Sequence, residues 1–157
     1  AIEITESLVK VCRKCSKDFK LSQIDENNIV LGSNLDIPFE DEFFDLIISI
    51  GTIHYSVGDD IEELNLWKSK LRENGRTYLE TTGPSHDFYL DSQRISENKW
   101  IWGEKSGFRK GKLCGFFDSE EHWGKTLREV FNTVSTGRVI EKSEFLTIDS
   151  LTAICEK

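Results

Sequence analysis

The feature that most constrains the fold is a run of seven residues from Phe44 to Ile50, which reads FDLIISI and leads into Gly51. Its apolar residues would face both sides of a strand, and three of the seven are the β-branched residue isoleucine. Apolar residues on both faces are typical of a strand inside a parallel sheet that helices cover. We therefore expect this run to be a central strand of an α/β fold.

A ligand site is expected at the carboxyl ends of these strands, because open α/β sheets bind ligands in the crevice found there. A shorter apolar run, Ile29 to Leu31, precedes Ser33 and Asn34, and the longer run ends in the segment Ser49 to Tyr55. The sequence therefore predicts that these two segments contribute to one site.

Length and composition favour one globular domain, since the chain has 157 residues of which 38% are hydrophobic. It has no run near the roughly 20 apolar residues that cross a bilayer and no signal-peptide pattern at Ala1, which predicts a cytoplasmic protein without a membrane partner. The formal net charge of −8 disfavours a broad phosphate-binding surface, so we expect no nucleic-acid partner.

The pair Cys12 and Cys15 has the spacing of a zinc or redox motif. It falls, however, in a helix expected after a cap at Thr5, on a stripe formed by Leu8, Cys12, Cys15 and Phe19. No second Cys or His pair has ligand spacing. We therefore expect buried thiols and no metal site.

Four further elements follow from periodicity and stop signals. They are a helix from Asp59 to Glu73 stopped by Asn74-Gly75, a strand from Arg76 to Thr82, a helix opened by Asp118 to Glu121, and two closing strands, Val134 to Ile140 or Phe145 and Asp149 to Glu156.

The segment Gly32 to His54 resembles the region behind the cofactor loop of class I S-adenosylmethionine-dependent methyltransferases. It reads GSNLDIPFEDEFFDLIISIGTIH, and that family has a GDAxxLPF turn, an FDxVxS strand and then LHH. The resemblance implies a Rossmann-like, three-layer α/β fold with a mostly parallel sheet and a C-terminal antiparallel hairpin. A nicotinamide-binding domain fits the closing hairpin and the turn poorly.

The resemblance also implies that the chain begins at the second strand of the family fold, at Ala1 to Ile4. We therefore expect a single methyltransferase-like domain over residues 1–157 that is N-terminally truncated and lacks the first strand and the glycine-rich loop. A sheet without that strand has an exposed edge, which could recruit a second copy of the chain as a homodimer.

The resemblance assigns S-adenosylmethionine as the cofactor. It implies that Glu3, with Ile4 beside it, accepts hydrogen bonds from both ribose hydroxyls, as a carboxylate does in dinucleotide folds. It also implies that Ser33 and the backbone N–H of Asn34 meet the adenine. The residues expected alongside the methionine arm are Ser49, Ile50 and Gly51.

For the acceptor, the resemblance implies that the segment 85–117 covers the site. His54 and His86 are candidate bases, since histidine titrates near neutral pH, although either could simply pack or orient a loop. Tyr55, Trp100 and Trp102 are candidate substrate contacts. The aromatic residues of this segment could equally pack a long connection onto the sheet.

Two functions remain open from the sequence. The first is methyl transfer from S-adenosylmethionine to a small-molecule acceptor. The alternative is a methyltransferase-like domain without activity, either a binding module or a fragment that lacks the cofactor loop.

Overall fold

The computed structural model describes residues 1–21, 25–55 and 60–157. The chain divides into two compact units, residues 1–40 and residues 41–157. We describe each unit by itself.

Unit 1 is a strand, a helix and a second strand. Strand β1 (Ile2–Glu3) pairs in parallel with β2 (Val30–Leu31), and helix α1 (Glu6–Asp18) lies between them in the chain. The hydroxyl of Thr5 caps α1 by accepting a hydrogen bond from the Leu8 N–H at 3.3 Å. The expected strand and capped helix are confirmed.

The buried face of α1 differs from the expected stripe. Val9 and Ser16 are buried, whereas Leu8, Cys15 and Phe19 are exposed. Val9 and Ser16 are seven residues apart, two helical turns, so they share a face that is rotated away from the stripe. The prediction of buried thiols is therefore wrong for Cys15, because the helix turns its Val9 side inward.

Unit 2 contains the following helices and strands, in chain order: β3 (Phe44–Ile50), α2 (Asp60–Lys70), β4 (Leu71–Thr82), α3 (Asp87–Asp91), β5 (Gln93–Ser96), β6 (Lys99–Ile101), β7 (Leu113–Cys114), α4 (Glu120–Arg128), β8 (Thr133–Lys142) and β9 (Thr147–Glu156). Strands β5, β6 and β7 form a small antiparallel sheet that the sequence did not predict. The other strands form a four-stranded sheet in the order β3-β4-β9-β8.

The four-stranded sheet is mixed rather than mostly parallel. Strand β3 pairs with β4 in parallel, but β9 runs antiparallel to both β4 and β8. The C-terminal antiparallel hairpin is therefore present, and it contributes half of the sheet. Because β9 also inserts beside β4, antiparallel pairings outnumber the parallel one, which corrects the expectation for this unit.

Strand β3 lies at an edge of this sheet and not at its centre. Leu46, Ile48 and Ile50 are 53%, 61% and 57% exposed, whereas Ser49 on the opposite face is buried. The sequence pattern gave the correct bounds for the strand. The expected burial on both faces is wrong, because the helices described in unit 2 pack on the opposite face of this sheet.

The core of unit 2 lies on the other face of the sheet. Helices α2 and α4 pack there, with Leu64, Trp67, Trp123 and Leu127 buried. Alternate residues of β9, from Asp149 to Cys155, are buried against them, as the two-residue period of a strand requires. The Ser119 hydroxyl caps α4 by accepting from the His122 N–H at 3.0 Å, which confirms the predicted helix start.

Helix α2 ends three residues earlier than predicted, at Lys70. The segment around Asn74 forms an irregularity within β4, where the pairing with β3 shifts between Phe44 and Leu46. Asn74 has φ of +61°, a left-handed conformation that asparagine tolerates. Asn74 therefore lies at the irregularity within β4 and not at the end of α2. The predicted start at Asp59 lies outside the described residues.

A buried carboxylate ties the turn after β4 to the closing hairpin. The Asp149 side chain is fully buried and accepts from Arg138 Nε at 2.8 Å and Nη2 at 2.7 Å. It also accepts from the Ser85 N–H at 2.6 Å, and its carbonyl accepts from the Gly83 N–H at 2.7 Å. These bonds fix the segment that leads into His86.

Substitution of Gly83 by alanine should destabilise unit 2. A Cβ atom at Gly83 would lie 2.5 Å from Cγ of Asp149, and overpacking of this kind costs about 1–3 kcal/mol. Urea unfolding of Gly83→Ala should show a lower midpoint at an unchanged slope. An unchanged midpoint would show that the turn shifts freely.

Among the residues that the structure describes, no helix has the length and apolar character needed to cross a membrane.

Candidate functional site

In unit 1, Glu3 ends β1 directly beside the turn that follows β2. The Glu3 carbonyl accepts from the Gly32 N–H at 3.0 Å, and Glu3 pairs with Leu31 across the strands. Its Oε1 atom accepts from the Cys12 thiol at 3.5 Å. Burial, reinforced by Glu3, raises the pKa of Cys12, so this thiol keeps its proton and helps to orient the carboxylate.

The turn after β2 is held by reciprocal backbone hydrogen bonds between Ser33 and Asp36, at 2.9 and 3.1 Å. The Ser33 hydroxyl accepts from the Leu35 N–H at 3.3 Å, which leaves it a second lone pair. Unit 1 therefore brings Glu3 and the Ser33-Asn34 turn to the same end of its two strands. Ile4, which follows Glu3, is exposed.

Unit 2 contains a cavity of about 240 Å³ at the carboxyl ends of β3 and β4. Five residues that the sequence singled out line it together: Gly51, His54, Tyr55, His86 and Trp102. The other lining residues are Glu80, Thr81, Thr82, Phe88, Arg109, Ile148 and Ser150.

Gly51 turns the chain out of β3 into this cavity. Its φ is +62°, a conformation that glycine adopts without steric cost, and its N–H donates to the Glu80 carbonyl at 3.0 Å. The space above it is open, because an added Cβ would meet only His54, at 3.8 Å. Before it, Ser49 is buried and its hydroxyl lies 2.5 Å from that of Thr52. A ligand can therefore approach this backbone closely.

His54 is buried among aromatic rings. Its ring centroid lies 4.4 Å from that of Tyr55 and 5.4 Å from that of Trp102. Burial, and then the charges of Arg109 and His86, lower its pKa to about 4. At neutral pH His54 is therefore uncharged, and it is a weaker base than an ordinary histidine.

His86 forms the N-terminal cap of α3. Its Nδ1 atom accepts a hydrogen bond from the Phe88 N–H at 3.0 Å, and burial lowers its pKa. The proton of the neutral ring is then carried by Nε2. His86 is thus arranged to donate a hydrogen bond from Nε2 and not to accept a proton through Nδ1.

The two tryptophans that the sequence singled out have different positions. Both are buried in one cluster with Cys114 and Phe116, but only Trp102 also lines the cavity. Trp100 therefore fits the alternative in which the aromatic side chains of this segment pack a long connection onto the sheet.

The sequence reasoning missed Glu80 and Arg109. Glu80 lies near the carboxyl end of β4, where a polar side chain before Gly83 was an available signal. Arg109 ends a short 3-10 segment, Glu104–Arg109, in the connection between β6 and β7. No periodicity or motif marks it, since it reaches the cavity only through the fold of that connection.

The low pKa of His54 predicts a loss of stability in acid. Its pKa falls from 6.5 to about 4 on folding, so below pH 6.5 the unfolded chain binds a proton that the folded chain does not. This histidine should therefore remove roughly 3 kcal/mol of the free energy of unfolding between pH 6.5 and pH 4. When the free energy of unfolding is measured by urea at several pH values, it should fall less steeply below pH 6.5 for His54→Phe than for the wild type. Equal slopes would contradict the assignment of this acid sensitivity to His54.

Within the described residues, no group of three or more His, Cys, Asp and Glu side chains could hold a metal ion.

A family model described as a methyltransferase domain matches residues 1–79. This match covers the Glu3 strand end, the Ser33 turn, β3, Gly51 and His54. A search of curated proteins finds no match for the chain.

Solved structures share the fold at low sequence identity. An S-adenosylmethionine-dependent methyltransferase from Methanosarcina mazei has a TM-score of 0.73 and 11% identity, over 99% of this chain and 80% of that chain. Another from Thermotoga maritima has a TM-score of 0.66 and 18% identity, over 99% and 72%.

A third structure, from Burkholderia thailandensis, is 1,6-didemethyltoxoflavin-N1-methyltransferase with bound 1,6-didemethyltoxoflavin and S-adenosylhomocysteine. It has a TM-score of 0.57 and 13% identity, over 82% of this chain and 51% of that chain.

Proposed function

This chain belongs to the methyltransferase domain family, whose cofactor is S-adenosylmethionine, and we propose that it transfers a methyl group to a small-molecule acceptor bound in the unit 2 cavity. The observation that carries the proposal is the cavity itself. It lies at the carboxyl ends of β3 and β4, and it has the volume of a small molecule.

The residues of unit 1 fit the cofactor. A carboxylate with two acceptor oxygens suits the two neighbouring hydroxyls of a ribose, and Glu3 is held at a strand end for this role. The adjacent Ser33-Asn34 turn offers a hydroxyl and a backbone amide for the adenine. In unit 2 the open face of Gly51 suits the methionine arm, next to Ser49 and Ile50.

When bound, the cofactor supplies a methyl group already activated by attachment to a sulfonium. The protein's own part would be to align the two reactants and to accept a proton where the acceptor nucleophile carries one. Trp102 and Phe88 line the cavity with aromatic rings, whose faces would attract a sulfonium by cation–π interaction.

The two histidines position the acceptor in our proposal. His86 donates from Nε2, and neutral His54 accepts a hydrogen bond from an acceptor hydroxyl or amine. Since the pKa of His54 is about 4, it is too weak a base to deprotonate an ammonium group, so the reacting atom of the acceptor is an uncharged nucleophile in this proposal.

The proposal is tested with S-adenosylmethionine labelled with tritium in its methyl group. The complete protein should transfer label to a metabolite extract from which macromolecules have been removed. Transfer only to protein or nucleic acid would contradict a small-molecule acceptor. If S-adenosylhomocysteine binds but no label moves to any fraction, the domain is a binding module without activity.

We further propose that residues 1–157 act as one domain in the cytoplasm, with residues 85–117 covering the acceptor, and that two copies associate through the free edge of β3. Within the described part of unit 2, β3 has no strand partner on its outer edge, and such an edge can pair with another chain, which would place a side chain of that chain beside the exposed Ile48. Sedimentation equilibrium should detect the dimer and show monomers for Ile48→Lys. A monomeric wild type would contradict it.

A further inference from the structure

On the premise of the proposed function, we infer that the methyl acceptor is a zwitterion, a small molecule with both a carboxylate and an amine, which Arg109 and Glu80 recognise in the unit 2 cavity.

Among the residues that the structure describes, the cavity lining contains one permanent cation and one carboxylate. Arg109 and Glu80 are the two oppositely charged side chains of its lining, and the remaining polar lining residues are histidine, tyrosine, threonine and serine. The histidines are neutral at pH 7, because burial lowers the pKa of both. The described lining therefore offers a ligand one positive and one negative charge.

Arg109 is oriented by aromatic side chains and not by a carboxylate. Its Nε donates to the Tyr55 hydroxyl, and its guanidinium carbon lies 5.5 Å from the Tyr55 ring centroid and 6.0 Å from that of Trp102. No described Asp or Glu forms an ion pair with it. The two terminal nitrogens stay available for a ligand, and this fork matches a carboxylate in a bidentate manner.

Glu80 is held by hydroxyl groups and not by a cation. Its Oε1 accepts from the Ser150 hydroxyl at 2.9 Å, and its Oε2 accepts from the Tyr78 hydroxyl at 3.4 Å. No described Lys or Arg pairs with this half-buried side chain. A partly desolvated carboxylate without a counter-charge is costly, and a ligand amine would provide that charge.

The two charges do not neutralise each other. Arg109 and Glu80 form no ion pair although both line one cavity, so each remains available to a separate group of a ligand. Phe88, Trp102 and Ile148 give the same cavity an apolar wall. A cation, an anion and an apolar wall within about 240 Å³ match an amine, a carboxylate and a short side chain.

The methionine arm of the cofactor also has an amine and a carboxylate. The test must therefore distinguish recognition of the acceptor by Arg109 and Glu80 from recognition of the cofactor. The complete protein is assayed with tritium-labelled cofactor and the standard amino acids, each beside its decarboxylated amine and its N-acetyl derivative. The variants are Arg109→Gln and Glu80→Gln, and the latter keeps an oxygen for the Ser150 hydroxyl. Lys112→Gln is the matched control, since it removes an exposed cation of the same connection outside the cavity.

We expect transfer to at least one amino acid and much less to its two derivatives. Each cavity variant should raise KM for that amino acid about tenfold or more, while the Kd of S-adenosylhomocysteine and the Lys112→Gln enzyme stay within about twofold of wild type.

Three results would overturn the inference. Equal transfer to the decarboxylated amines would show that no carboxylate is read. A weaker S-adenosylhomocysteine affinity in both variants would assign the pair to the cofactor and leave the proposed function intact. A wild type that does not bind S-adenosylhomocysteine would remove the proposed function and this inference together.

Discussion

Replacement of Arg138 by glutamine is expected to lower the free energy of unfolding by about 3 kcal/mol, because it leaves the buried Asp149 carboxylate without its cation. Burial alone would raise the pKa of Asp149, and the hydrogen bonds from Arg138 and Ser85 reverse this, so that its pKa is below the usual value. Without the guanidinium, the carboxylate must take up a proton or draw in water. Either outcome loosens the Gly83–Ser85 turn that precedes His86.

Urea unfolding at pH 7 measures this effect against a matched control. Arg76→Gln removes the ion pair between Arg76 and Glu156, whose atoms lie 3.3 Å apart and whose side chains are 64% and 33% exposed. Exposed pairs contribute about 0–1 kcal/mol, so this control should barely shift the unfolding midpoint. Equal effects of the two substitutions would contradict the role assigned to Asp149.

Replacement of Glu3 by alanine is expected to weaken S-adenosylhomocysteine binding by about a hundredfold to several hundredfold. A hydrogen bond to a charged group contributes about 1.5–3 kcal/mol, and a ribose diol makes two with one carboxylate. The Glu3 side chain is only partly buried, which keeps the estimate at the lower end of the combined range.

Two control variants distinguish a direct role of Glu3 in cofactor binding from an indirect effect on the structure of unit 1. Glu6→Gln removes an exposed carboxylate from the first turn of α1, three residues further along the chain. Cys12→Ala removes the thiol that donates to Glu3 but keeps the carboxylate. In calorimetric titration Glu6→Gln should bind as tightly as wild type, and Cys12→Ala should bind less tightly than wild type but far more tightly than Glu3→Ala. Glu3→Ala with unchanged affinity would exclude Glu3 from the cofactor site.

Local patterns predicted the secondary structure well where each element carries its own signals. The bounds of β3, the caps at Thr5 and Ser119 and the C-terminal hairpin all follow from neighbouring residues. Burial and strand order depend on distant partners. The apolar run of β3 therefore suggested a central strand, although its sheet leaves one face exposed.

The residues of the candidate site likewise divide into those marked by local sequence signals and those brought together only by the fold. Gly51, His54 and Tyr55 follow a recognisable strand, and the sequence identified them as neighbours of a ligand. Glu80 and Arg109 come from β4 and from a connection without periodicity, so only the fold brings them to the same cavity. The weak basicity of His54 was also beyond the sequence, because it results from burial and from the charge of Arg109.

The most direct test of the proposed function is a calorimetric titration of S-adenosylhomocysteine into the complete protein, with the nicotinamide cofactor NAD titrated in parallel. We expect saturable binding of one S-adenosylhomocysteine per chain and no binding of NAD. Binding of NAD without S-adenosylhomocysteine, or of neither compound, would contradict a methyltransferase that uses Glu3 and the unit 2 cavity.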